Sequence, residues 1–238
     1  MRDPARLENP GGTETSPVIA VCGMRFEAAI AAGPGVVTLC GLGHERLVVR
    51  LEELIIKGPR YRGIISFGLA GGLNPALSSG TCVIADRIVT AMDCFPVDAG
   101  WITALRACLP GAVQGALAGV NQPMLDAVDK ARLWQSSGAD AVDMESHRAA
   151  LVAQRHNVPF AACRVVADSA HRSVSTVVLA GMRDDGTMAL ARILRTLAAH
   201  PRQLPALIGL AIDAGAAKRT LRVVRSHTGV AFAIPTYC

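Results

Sequence analysis

Two carboxylates, two glycine-rich stretches and the single Gly23 are the parts of this chain best suited to chemistry. Asp143-Met144-Glu145-Ser146 opens a segment of helical character, and the apolar run Phe160–Ala167 ends in Asp168. A carboxyl group at the end of an apolar strand is partly desolvated, which raises its pKa and lets it keep a proton near neutrality. Glu145 also has a purely structural reading, as a carboxylate favoured by the helix dipole. Gly23, the turn Gly41 to Arg46, and Ser66-Phe67-Gly68-Leu69-Ala70-Gly71-Gly72-Leu73 offer backbone without Cβ atoms, which an anion or a sugar ring can approach closely. The longest of these is neither a Rossmann GxGxxG nor a P-loop. Taken alone, it reads equally well as a tight turn in a packed sheet, and Arg46 equally well as a phosphate ligand or a solvated helix residue.

The elements that must position these residues follow from hydrophobic patterning. Val18–Cys22 and Val36–Cys40 are short apolar runs ended by glycine, with the start of a helix over Phe26–Ala32 between them. Leu47, Val48, Leu51, Leu54 and Ile55 recur at helical spacing and predict an amphipathic helix over His44–Lys57. Gly63–Ser66 reads as a buried strand that stops at Gly68, Thr81–Ala85 and Ile88–Ala91 as two strand pieces, and Trp101–Leu109 as a helix. Glu145–His156 is a helix that Asn157 can cap and Pro159 ends, followed by the buried strand Phe160–Ala167. Helices are also predicted over Met188–Ala199 and Leu204–Val224, whereas Ser226–Cys238 carries no firm assignment. Alternating strands and helices imply a largely parallel sheet covered on both faces, where ligands bind beyond the carboxyl ends of the strands.

The chain of 238 residues is long enough for one sizeable core, so residues 18–238 read as a single domain with a helical extension from about 187, after a polar, disordered lead-in over 1–17. Mean hydropathy is high, at +0.35, yet no apolar run reaches the ~18 residues of a membrane span. Seven cysteines without CxxC or His/Cys metal spacing suggest buried, reduced thiols in a cytoplasmic protein and no metal site. A net charge of +5 suits an anionic partner. Only 4% of residues are aromatic, too few for the stacking platforms of single-strand binders, and nucleic acid is not expected.

Together, the Ala141–Ser146 segment, Arg164-Val165-Val166-Ala167-Asp168-Ser169-Ala170 and the glycine stretch resemble the signature of the purine nucleoside phosphorylases and of the nucleosidases acting on methylthioadenosine and adenosylhomocysteine. The resemblance covers about residues 18 to 200. It implies a three-layer α/β/α fold around a mixed sheet that curls into a partial barrel, usually assembled as a homo-oligomer, and cleavage of the bond between a purine and ribose. That cleavage builds positive charge on the sugar and negative charge on the departing base. Asp168 matches the family's acid, which protonates N7 of the base, and Glu145 the carboxylate that holds the ribose hydroxyls. Met144 matches the residue packed against the ribose, and Asp143, Phe67, Ala70 and Gly71 fall into the implied substrate site.

The nucleophile stays open. Gly23-Met24-Arg25-Phe26-Glu27 lacks the consecutive acidic residues of the bacterial nucleosidases, although Glu27 falls close to a water-activating position. It also lacks the usual phosphate-binding arginine of the hexameric phosphorylases, although Arg25 and Arg46 are near. Gly23, Arg25, Glu27, Arg46, Ser66 and Gly68 are therefore the candidates for the phosphate or nucleophile site, with inorganic phosphate as an implied co-substrate and no cofactor. Residues 180–187 and 199–205 look like the hopanoid-associated phosphorylases, which implies a lipid-linked adenosine, adenosylhopane, as substrate and adenine as product. The basic Lys218, Arg219, Arg222 and Arg225 beside Leu207, Ile208 and Leu210 then suit peripheral contact with an anionic inner-membrane surface; equally, they suit a core-packing helix with a solvated basic end.

Overall fold

A computed structural model describes residues 16–41, 44–174 and 204–236 of the chain. The expected lead-in up to residue 15, the predicted helix Met188–Ala199 and the segments 180–187 and 199–203 lie outside the described residues.

The sheet begins with β1 (Val18–Cys22), which pairs in parallel with β2 (Val36–Cys40) on one side and β3 (Gly63–Gly72) on the other. Every residue of β1 is buried, as a strand covered by helices on both faces requires. After β3 the chain forms β4 (Cys82–Val89), β5 (Cys94–Pro96), β6 (Val113–Gly119), β7 (Ala141–Asp143) and β8 (Phe160–Asp168). Strand β3 pairs with β7, β7 with β6, β6 with β4, β4 with β8, and β8 again with β3. Five strands thus close into a barrel, and β1 and β2 extend the sheet from β3. The pairings are mixed, with β3–β7, β4–β5 and β4–β8 antiparallel, as the expected curling mixed sheet implies.

Helices cover both sides. On one face Val18, Ala20, Ile65 and Phe67 pack with α1 (Arg25–Ala31), α3 (Ala99–Cys108) and α6 (Leu204–His227), through Ala28, Ala31, Trp101, Leu105, Ala217, Leu221 and Val224. On the other, Ile19, Val21 and Ile64 pack with α2 (His44–Lys57) and α5 (Ser146–Arg155), whose Ala149, Ala150 and Ala153 let the helix lie close to the strands. A smaller cluster, with Leu73, Ala116 and Val142 at its centre, receives Leu133 and Trp134 of α4 (Ala127–Ser137).

Several boundaries differ from the sequence reading for physical reasons. The glycine stretch is not a loop: β3 continues through it to Gly72, because β8 offers ladder partners as far as Gly71. The two pieces around Ala85 and Ile88 form one strand whose register shifts between Ala85 and Arg87, so a bulge breaks the alternation that separated them. Asn157 closes α5 with φ of 51°, as its type permits. The unassigned tail forms a short 3-10 turn, Val230–Ala233, anchored where Trp101 Nε1 donates to the Phe232 carbonyl at 2.8 Å.

Candidate active site

Strands β3 and β8 are hydrogen-bonded neighbours and supply the centre of the site. The register slips between Ala70 and Gly71, so that Asp168 rather than Ala167 stands level with Gly71. Asp168 therefore reaches the wall of a cavity of about 270 Å3, which it shares with Gly23, Met24, Glu27, Ala70, Gly71, Asp143, Met144 and Glu145. The remaining wall is apolar and includes Val120, Pro123, Met124, Leu125 and Val174. This size is near the lower end for small-molecule sites. A larger recess of about 1020 Å3, along residues 89–95 and His147, holds none of the buried carboxylates.

Arg164 organises one side of the cavity. It lies mid-strand in β8 with its guanidinium buried, so it must be paired. An ion pair to Asp143 Oδ2 spans 2.7 Å, and Nη2 donates to Ser66 Oγ at 2.6 Å and to Glu145 Oε2 at 3.2 Å. Ser146 Oγ donates to Asp143 and lies 2.8 Å from the Ser66 hydroxyl, and the Ser146 backbone N–H also donates to Asp143, which fixes the start of α5 and hence Glu145 just before it.

Glu27 enters from α1 and is buried. Its Oε2 accepts from the backbone N–H groups of Gly23 and Met24, both at 2.9 Å, and its Oε1 from that of Leu69 at 2.8 Å. Gly68 makes this possible: with φ of 156°, a Cβ there would stand 2.7 Å from Glu27 Oε2 and 2.8 Å from Arg164 Nη1. Burial pushes the Glu27 carboxyl upward, against the opposing pull of Arg164 and the three N–H donors. Burial likewise lifts Glu145 to about 7, opposed by Arg164 and reinforced by the charges of Asp143 and Glu27. Three carboxyl groups thus surround one guanidinium, and their ionised forms suit a ligand centre that becomes positive.

Asp168 faces this group from across the cavity. Its carboxyl is raised by burial and pulled back by Lys130, whose ammonium group donates to Oδ2. The sequence candidates therefore divide. Asp168, Glu145, Met144, Asp143, Ala70, Gly71, Gly23 and Glu27 line one cavity, and Ser66 and Gly68 stand immediately behind it. Phe67 points away into the core, 4.9 Å from the Phe232 ring, while Arg25 and Arg46 are exposed and lie off the cavity wall.

Sequence reasoning did not single out Arg164, Ser146 or Lys130. Arg164 carried a usable signal, as a lone charge in the apolar strand Phe160–Asp168. Lys130 carried a weaker one, since it shares a helical stripe with Leu133 and Trp134.

Comparison with known proteins adds a family and a set of folds. The model of the phosphorylase superfamily matches residues 3–199. Among solved structures, the 5'-methylthioadenosine/S-adenosylhomocysteine nucleosidase of Campylobacter jejuni is similar with a TM-score of 0.62 and 16% identity, over 89% of this chain and 98% of that one. The S-adenosylhomocysteine nucleosidase of Streptococcus pyogenes, solved with 5-methylthiotubericidin, gives 0.59 and 18%, over 67% and 87%. Futalosine hydrolase of Helicobacter pylori gives 0.56 and 17%, over 65% and 89%. At these identities the likeness establishes the fold. No curated protein sequence matches the chain.

Proposed function

Because this chain belongs to the phosphorylase superfamily, we propose that it cleaves the N-glycosidic bond of a purine nucleoside, with water as the nucleophile. The observation that carries the choice of nucleophile is the crowding of Glu27, Asp143 and Glu145 around Arg164. A phosphate dianion needs uncommitted cations. Among the described residues, the two buried cations at this cavity, Arg164 and Lys130, are committed to carboxylates, and the expected phosphate ligands Arg25 and Arg46 lie elsewhere.

The proposed reaction uses this placement. A water molecule beside Glu27 attacks C1′ and loses a proton to that carboxylate. Glu145 accepts hydrogen bonds from the ribose hydroxyls and offsets the positive charge that grows on the sugar, which also favours its ionised form. Asp168 donates a proton to N7 of the purine while the C1′–N9 bond breaks and its electron pair leaves with the base. Met144 and the apolar wall exclude bulk water and pack against the nucleoside.

The test is to incubate the protein with adenosine and 5'-substituted adenosines in 18O-labelled water, with and without phosphate. Free labelled ribose at a rate independent of phosphate is the expected result. Ribose 1-phosphate, formed only when phosphate is added, would replace this reading with phosphorolysis.

A second observation favours a lipid-linked 5' substituent, as in adenosylhopane. Helix α6 leaves Ile208, Ile212 and Val223 exposed, and Arg219 and Arg222 are exposed along it. Of the other basic residues expected there, Lys218 lies over the Phe26 ring at 4.8 Å, and Arg225 binds the Ala31 carbonyl at 2.8 Å. The outward pair and the apolar side chains beside it suit an anionic bilayer surface. None of the described helices is long and apolar enough to cross a membrane.

A further inference from the structure

Lysine is rarely buried, because its ammonium group loses more hydration than a single partner returns. Lys130 is fully buried and saturated: Nζ donates to Asp168 Oδ2, to the Ser169 carbonyl at 3.2 Å and to the Arg172 carbonyl at 2.9 Å. All three ammonium donors are used, so none is left for a ligand. The other charged groups facing Asp168 among the described residues are Arg172, in the turn after β8, and Asp213 of α6. These two pair with each other at 2.9 Å, which leaves Lys130 as the cation bound to the Asp168 carboxyl.

We infer that Lys130 is a positioning residue for the proposed acid: it holds Oδ2 in place, leaves Oδ1 for the purine, and supplies the charge that stabilises the carboxylate formed as the proton departs. The inference rests on the N-glycosidic reading of the site.

The proton count makes the need plain. Asp168 gives its proton to N7 and becomes an anion in a site where burial opposes ionisation. Lys130 donates to Asp168, Ser169 and Arg172 and passes no proton to the substrate. The proton taken by Glu27 from water returns to solvent, and Asp168 regains one from solvent before the next turnover. Without the ammonium group, Asp168 would be a weaker acid and would release its proton late, when the leaving base already carries its charge.

The test compares two substrates that differ in their need for that proton. A purine nucleoside requires protonation of its leaving group, whereas the nitrophenolate of p-nitrophenyl β-D-riboside leaves without it. Lys130→Met is expected to lose at least ~10-fold more activity on the nucleoside than on the riboside, within the range a general acid contributes. The falling limb of its pH profile should also move to higher pH, because removing the cation raises the Asp168 pKa. Equal losses on both substrates with an unmoved limb would reduce Lys130 to a structural strut.

Lys130→Arg keeps the charge and is expected to preserve the wild-type ratio between the substrates. Loss of that ratio would overturn the inference even where Lys130→Met does not fold. Titration of the Asp168 carboxyl by 13C NMR, in wild type and Lys130→Gln, reads the same coupling without turnover; an upward shift supports it and an unmoved titration refutes it. Wild-type protein that releases no base refutes the reading of the site, whereas normal turnover with unchanged ratios refutes the role of Lys130 alone.

Discussion

Gly68 and Glu27 share a space that admits only one of them with a side chain. The backbone at Gly68 has φ of 156°, and its missing Cβ would lie 2.7 Å from both the Glu27 carboxyl carbon and Oε2. Gly68→Ala is therefore expected to push Glu27 from its three backbone donors and, with Glu27 as the proposed general base, lower kcat by ~100-fold or more. Gly23→Ala should be milder, because its nearest neighbour, 3.0 Å away, is the flexible end of Glu145. Steady-state base release checks both, and equal effects would argue against the placement of Glu27.

Asp168→Asn removes the proposed proton donor and should reduce base release by ~100- to 10,000-fold. It also leaves the Lys130 ammonium group buried without its carboxylate, at a cost of ~3–5 kcal/mol in stability. Combining it with Lys130→Met should recover much of that stability and none of the activity. Denaturant melts of the two single variants and the double variant measure the coupling.

Arg164→Met strips the countercharge from Asp143 and Glu145 and from the neighbourhood of Glu27. A destabilisation of ~3–5 kcal/mol is expected at neutral pH. It should shrink in mild acid, where Glu145 and Glu27, both already raised by burial, take up protons. A pH-independent loss in the melts would contradict the charge argument.

Glu145 makes stability depend on pH with a definite sign. Its carboxyl titrates near its ordinary 4.5 when unfolded and at about 7 when folded, so between these values the folded chain binds more protons. Stability contributed by protonated Glu145 is present below 4.5 and is lost as pH rises through about 7. Thermal midpoints should thus fall across this window, and Glu145→Gln should flatten the fall. Glu27 adds to the slope in the same direction, since its pKa is raised too.

The lipid-surface reading rests on Arg219 and Arg222. Flotation with vesicles containing phosphatidylglycerol should recover the wild-type protein, and Arg219→Glu with Arg222→Glu should abolish recovery. Recovery unaffected by the double change would discard this surface.

Much of the fold was legible because apolar runs and helical periods report burial directly. The spans of β2 and α2 coincide with the sequence reading, and α5 and β8 differ from it by a residue at their ends. Residues 110–140 were not legible. There β6 is a short run broken by Gly115, and α4 puts a lysine on the stripe it turns toward the interior. The glycine stretch misled in the opposite way: glycine usually signals a turn, but here each missing side chain makes room beside a paired strand. As for the site, Asp168, Glu145 and Glu27 are marked by chain position, but their partners are chosen by contacts across 38 residues for Lys130 and 42 for the Leu69 N–H. No local pattern encodes such distances.

The closed ring of five strands has a consequence for how such a protein can change. Arg164 and Asp168 ride on one strand, Gly68 and Gly71 on its bonded neighbour, so the spacing of these two charged residues is set by a backbone ladder. Loops can lengthen or exchange around the mouth without altering that spacing. A new substrate then requires only a new rim, and the reaction centre is inherited intact.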